Sequence, residues 1–187
     1  VLVHELGHAV AAAFFSWRIK RILLLPFGGV AEVEEHGNRP FREEWIVTLA
    51  GPAQHLWLTT AAFFLWKAGW MDDGSWELFF RYNVAVFSLN LLPIWPLDGG
   101  KLLFLLLSYH RPFSEAHRKM VAISAAVLAA SIILLLVFMP RQLDLWTIAV
   151  FLAYALWQEK KQHPYIVMRF LLERYYGKKG DYARLLT

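Results

Sequence analysis

Cysteine is absent from this chain, which excludes disulfides, zinc–thiolate centres and a cysteine nucleophile. Charge is scarce: Asp, Glu, Lys and Arg make up 18% of the residues, against about 25% in soluble domains. Low-complexity tracts and internal repeats are missing, so disordered, collagen-like and coiled-coil chains are ruled out. What fills the 187 residues is apolar: 58% of them, with nine Trp, fourteen Phe and a mean hydropathy of +0.40. That is too apolar for a water-soluble fold, and the chain reads as a membrane protein. A cytosolic soluble enzyme does not fit it.

The little charge there is lies unevenly. Residues 158–187 hold seven Lys or Arg against three acids, a surplus of four that equals the formal net charge of the whole chain, +4. A basic tail beside an apolar body points to a membrane surface, and no nucleic-acid partner is expected. The first residue is Val1, not Met, and it lies within an apolar stretch. Further residues, including another span, are therefore expected ahead of it.

An apolar helix is predicted over 1–17, followed by a basic patch at Arg18, Lys20 and Arg21. Within 21–35, Pro26 and the Gly28–Gly29 pair break any helix, and the alternation over 30–34 suits a strand. That segment reads as a small β-hairpin at the membrane. Apolar spans follow at 45–66, at 78–92, at 120–139 and at 143–157. The second of these is interrupted by Pro93, Pro96 and Gly99–Gly100 and resumes as 101–109. The expected fold class is an all-α polytopic membrane protein with one small membrane-associated β-hairpin. Placing the basic loop 108–119 and the tail in the cytoplasm puts the acidic loop 67–77 outside and the Arg18–Arg21 patch inside, as the positive-inside rule requires. Trp17, Trp45, Trp66, Trp76 and Trp157 are expected at the interfaces, and His36, His110, His117 and His163 are expected to face water.

The chemistry concentrates at His4-Glu5-Leu6-Gly7-His8. Positions i and i+4 share a helix face, so both imidazoles can bind one Zn²⁺ with Glu5 beside its water. Polar groups in an apolar helix are expensive and mark function. A catalytic zinc takes three protein ligands, and the candidate third is Asp98, in the run Asn90-Leu-Leu-Pro93-Ile-Trp-Pro96-Leu-Asp98-Gly99-Gly100. Broken backbone at membrane depth must be buried in protein or line a water-filled cavity. The bland alternative makes Asp98 the N-cap of helix 101–109. Asn90 is a candidate for gripping substrate backbone or the developing oxyanion, with an interhelical hydrogen bond as its alternative. Ala50-Gly51-Pro52 reads as a close-packing and kink site, and His55 as a histidine satisfied between helices.

HELGHA followed by NxxPxxPLDGG resembles the site-2 protease family of intramembrane zinc metalloproteases, and the runs FFSWRIKR, LLPFGG and RFLLERYYGK are similar to its sporulation branch. The resemblance implies one zinc ion on His4, His8 and Asp98, with Glu5 as catalytic acid and base. Substrate-binding positions are expected at Asn90, Pro93, Gly28, Gly29 and Val30, and a transmembrane metalloprotease core over 1–157. The segment 158–187 then becomes a juxtamembrane lead-in to a regulatory domain. The substrate the resemblance implies is a membrane-tethered sigma-factor precursor, cut near the cytoplasmic face. The implied partners are inhibitory membrane proteins and the lipid bilayer, and a homo-oligomer is left open. The hairpin either offers a strand edge to an extended substrate or plugs the site. The rival class is a membrane metal-ion or proton transporter with His4, Glu5, His8 and Asp98 along its pathway; an inactive scaffold is a third.

Overall fold

The structure, a computed structural model, describes residues 2–17, 19–25, 28–33 and 40–176. Its described residues fall into two compact units, one running to Val33 and resuming over 45–91, the other holding 40–44 and 92–176.

In the first unit, α1 (Leu2–Phe14) carries the HExxH motif. Its end is set by local hydrogen bonding. Ser16 takes a left-handed φ of 56°, its N–H donates to Ala13 O at 2.9 Å, and the N–H of Trp17 donates to Ala12 O at 2.9 Å. That pair of bonds satisfies carbonyls the helix would otherwise leave open, and it usually comes with an apolar contact across the cap. Here the contact joins Ala12, Trp17 and Val47, all buried. Trp17 is therefore a packing residue, 4% exposed, and not the interface marker its position suggested.

Two strands follow, β1 (Ile19–Leu25) and β2 (Gly28–Val33), paired antiparallel with Leu23 opposite Val30 and Leu24 opposite Gly29. The register shifts between Ile19 and Arg21. The pairing begins two residues before the expected hairpin, whose last residues, with His36, lie outside the described residues.

Helix α2 (Phe41–Lys67) crosses α1 closely, because a Cβ on Gly7 would stand 2.5 Å from Ala50 O. Helix α3 (Asp73–Asn90) starts on an N-cap, Asp72, whose carboxylate accepts from the Ser75 N–H at 2.9 Å and the Ser75 hydroxyl at 2.6 Å. These bonds hold the exposed carboxyl below its ordinary pKa.

The second unit packs α4 (Asp98–His110), α5 (Phe113–Phe138) and α6 (Leu143–Tyr176) around Ile94, Met120, Val121, Leu128, Leu152 and Leu156. Ile94 and Met120 are fully enclosed, and between membrane helices such burial stabilises through close van der Waals packing. Among the described residues, α5 is the one helix both long and apolar enough throughout to cross a bilayer. The expected loop 108–119 shrinks to Arg111 and Pro112, because Phe113, Ala116 and His117 are buried and draw the first turns of α5 into the packing. His117 thus does not face water: it is 3% exposed. His110 is exposed and His163 half-buried.

Candidate metal centre

His4, Glu5 and His8 lie on the buried side of α1, at 4%, 6% and 6% exposure. The Nε2 atoms of the two histidines stand 3.2 Å apart with their rings edge to face. Two nitrogens each about 2.0–2.1 Å from one tetrahedral Zn²⁺ would be separated by about 3.3 Å. The donor pair therefore has the spacing a single zinc requires.

The orientation of His8 follows from a bond. A carbonyl oxygen can only accept, so the 2.7 Å contact between His8 Nδ1 and Val47 O makes Nδ1 the protonated nitrogen. Nε2 then keeps its lone pair toward His4, in the arrangement by which metal-bound histidines are commonly fixed. Gly51, one turn along α2 from Val47, faces the same ring: a Cβ there would collide with His8 Nε2. The Ala50-Gly51-Pro52 run is a close-packing site, and what Gly51 packs against is the ring of His8.

His55 is 4% exposed, with its ring 5.2 Å from that of His4. Its Nδ1 donates to Asn83 Oδ1 at 2.6 Å, while Asn83 Nδ2 donates to His55 O at 3.0 Å and to Thr59 Oγ1 at 2.6 Å. Through Nδ1 it is hydrogen-bonded between α2 and α3, the interhelical setting read from its position. Asn90 ends α3 half-buried, and among the described residues its amide makes no interhelical hydrogen bond.

Asp98 belongs to the second unit, 3% exposed. It is not the N-cap of a later helix. It is the first residue of α4, whose N-cap is Leu97, with no side-chain cap bond. Lys101 Nζ, one turn on, reaches Asp98 Oδ1 at 3.2 Å. The loop before it is clamped to α5 through Ser124, which is fully buried. The Ser124 hydroxyl donates to Pro93 O at 3.2 Å and accepts from Trp95 N–H at 3.2 Å. A Cβ on Gly100 would lie 2.6 Å from Trp95 N, so the second glycine lets α4 begin directly against that loop. Gly28, Gly29 and Val30 form the start of β2. Sequence reasoning missed Ser124 and the Val47 carbonyl. A serine in an apolar helix was the available signal for the first; nothing signals a carbonyl.

Known proteins resemble this chain. The profile of Peptidase family M50 matches residues 1–71 and 66–135. The stage IV sporulation protein FB of Bacillus subtilis is 53% identical over 186 residues, spanning 100% of this chain and 65% of that protein. A zinc metalloprotease of Methanocaldococcus jannaschii is 26% identical over 86% of this chain and 47% of its own length. The solved site-2 protease of the same organism superposes with a TM-score of 0.66 at 26% identity, covering 85% of this chain and 73% of that one. The chain thus spans about two thirds or less of the curated relatives it matches.

Proposed function

This chain belongs to Peptidase family M50, and from that premise we propose that it is a zinc-dependent endopeptidase working within the membrane. The observation that carries the reading is the 3.2 Å convergence of His4 and His8 Nε2, with His8 Nδ1 tied to Val47 O. His4, His8 and Asp98 each offer one ligand atom, the three-protein-ligand set of a catalytic zinc. The ion, when bound, supplies Lewis acidity toward the scissile carbonyl and its attacking water.

The protein's own residues do the rest. Glu5, buried on the same helix between the two histidines in sequence, takes the proton of the attacking water and returns it to the leaving amine. Asn90 presents an uncommitted amide to the substrate backbone or developing oxyanion. A peptide must be extended to be cut, since a helix hides its carbonyls in its own hydrogen bonds. The two-stranded sheet has an outer edge on each strand, and Gly28, Gly29 and Val30 would pair with such a substrate at the membrane. Pro93, held through its carbonyl by Ser124, would meet the substrate from the loop before Asp98.

The 53% identity to a sporulation protein supports a finer assignment: the substrate is the membrane-tethered pro-sequence of a sigma-factor precursor, cut from the cytoplasmic side. Further membrane proteins would hold the enzyme inactive. The chain would cross the bilayer several times, with its basic segment 158–187 in the cytoplasm.

The test is co-expression with a membrane-tethered pro-peptide, following the product by gel and the zinc in each purified protein. Cleavage should vanish in Glu5→Gln with zinc retained, and in Asp98→Asn with zinc weakened. Zinc bound with no cleavage by any form would overturn the assignment and favour ion transport.

A further inference from the structure

A second cluster of titratable groups lies between α5 and α6. His117 Nε2 contacts Glu159 Oε1 at 2.8 Å, and His117 Nδ1 contacts His163 Nδ1 at 2.7 Å. A carboxylate accepts, so His117 donates through Nε2, and its Nδ1 accepts the Nδ1 proton of His163. The remaining nitrogen of His163 is left as the group with hydrogen-bonding capacity to spend. A shared metal is excluded here, because two ligand nitrogens on one ion would stand about 3.3 Å apart.

Beside this relay is a cavity of about 360 Å³, lined by His117, Arg118, Val121, Ala122 and Ala125 of α5 and by Lys160 and His163 of α6. That volume falls within the roughly 300–1,000 Å³ of small-molecule sites. Among the described residues no acid lines it, and Glu159 is held by His117. The lining changes character at one point along α5: Lys119 is its last charged residue, and none follows from Met120 to Phe138. On a helix that crosses the bilayer, that step is where head groups give way to acyl chains.

We propose that this cavity binds the phosphate head group of an anionic phospholipid. Arg118 and Lys160 contact the phosphate oxygens, the bare Nε2 of His163 accepts from a head-group hydroxyl such as the glycerol of phosphatidylglycerol, and an acyl chain descends along Val121, Ala122 and Ala125. The assignment rests on the membrane placement of α5 and not on the protease reading, so the two can fail separately.

Native mass spectrometry of the protein purified in neutral detergent, with phosphatidylglycerol or phosphatidylcholine added, reads it directly. Phosphatidylglycerol should be retained preferentially. Arg118→Gln with Lys160→Gln, both exposed positions, should weaken that retention about tenfold or more. The control is Lys119→Gln with Lys161→Gln, which removes equal charge from the same helices outside the cavity; it should change retention by no more than about twofold. Equal retention of the two lipids, or equal losses in the two double variants, would overturn the proposal. Displacement of the lipid by inorganic phosphate would reassign the site to a soluble anion and overturn it equally.

Discussion

The ring of His8 occupies the space in which a Cβ on Gly51 would stand. The absence of a side chain at Gly51 is what lets His8 on α1 point its Nε2 at that of His4. Gly51→Ala raises intrinsic helix propensity by about 1 kcal/mol, yet should cost zinc and activity. The expected outcome is a lower metal content in the purified protein and cleavage slowed on the order of a hundredfold, the scale of an ångström-sized misplacement. A variant with unchanged zinc would show that α1 and α2 can separate without consequence.

Ser124 offers a separate handle in the second unit. Ser124→Ala leaves Trp95 N–H and Pro93 O without their shared partner, a loss of about 1–3 kcal/mol where the site is dry. The thermal midpoint should fall. If the loop orients Asp98, cleavage should fall further than that stability loss alone explains. Ser124→Thr, which keeps the hydroxyl, should recover both more than Ala does.

Acid should weaken the α5–α6 contact. Burial, then the neighbouring charges of His117 and Arg118, push the His163 pKa below its ordinary value of 6.5, against a smaller pull from Glu159. With Lys160 also at the cavity, protonation of His163 in the folded protein is opposed. The unfolded chain therefore binds this proton more readily. The stabilisation is complete above the unfolded pKa of about 6.5 and is lost as pH falls below it. Thermal midpoints measured between about pH 7.5 and 5.5 should decline in the parent and decline less in His163→Gln.

At the surface the opposite holds. Glu115 bridges Lys119 at 2.9 Å and Arg111 at 2.5 Å, and these partners lower its pKa. It is fully exposed to solvent, where such pairs are screened. Glu115→Gln should leave cleavage unchanged and shift the thermal midpoint within error at physiological salt.

The convergence of His4 and His8, with Glu5 buried on the same helix, was legible in sequence because HExxH spacing is a local property of one helix. Asp98 was legible as an acid in a proline- and glycine-broken stretch, but the start of α4 was not. Asp98-Gly99-Gly100 reads as a breaker until Gly100 is seen packed on the Ile94–Trp95 backbone. The same limit applies to the first turns of α5. Glu115, Arg118 and Lys119 give them the look of a loop, while the burial of Phe113 against Phe170, rings 4.0 Å apart, comes from far along the chain. His117 was misread as solvent-facing because its partners, Glu159 and His163, lie more than 40 residues away. Trp17 was misread because an interfacial tryptophan and a capping tryptophan look alike without Val47 beside them.

Val47 lends its carbonyl to His8 and its side chain to the cap that ends α1. Metal occupancy and the docking of α1 on α2 are then two faces of one thermodynamic linkage. Whatever tightens one must tighten the other by the same free energy. Chelation should accordingly be felt well away from the ligands. Amide exchange should quicken along α1 as far as Ser16 and Trp17, while α5 and α6 keep their protection.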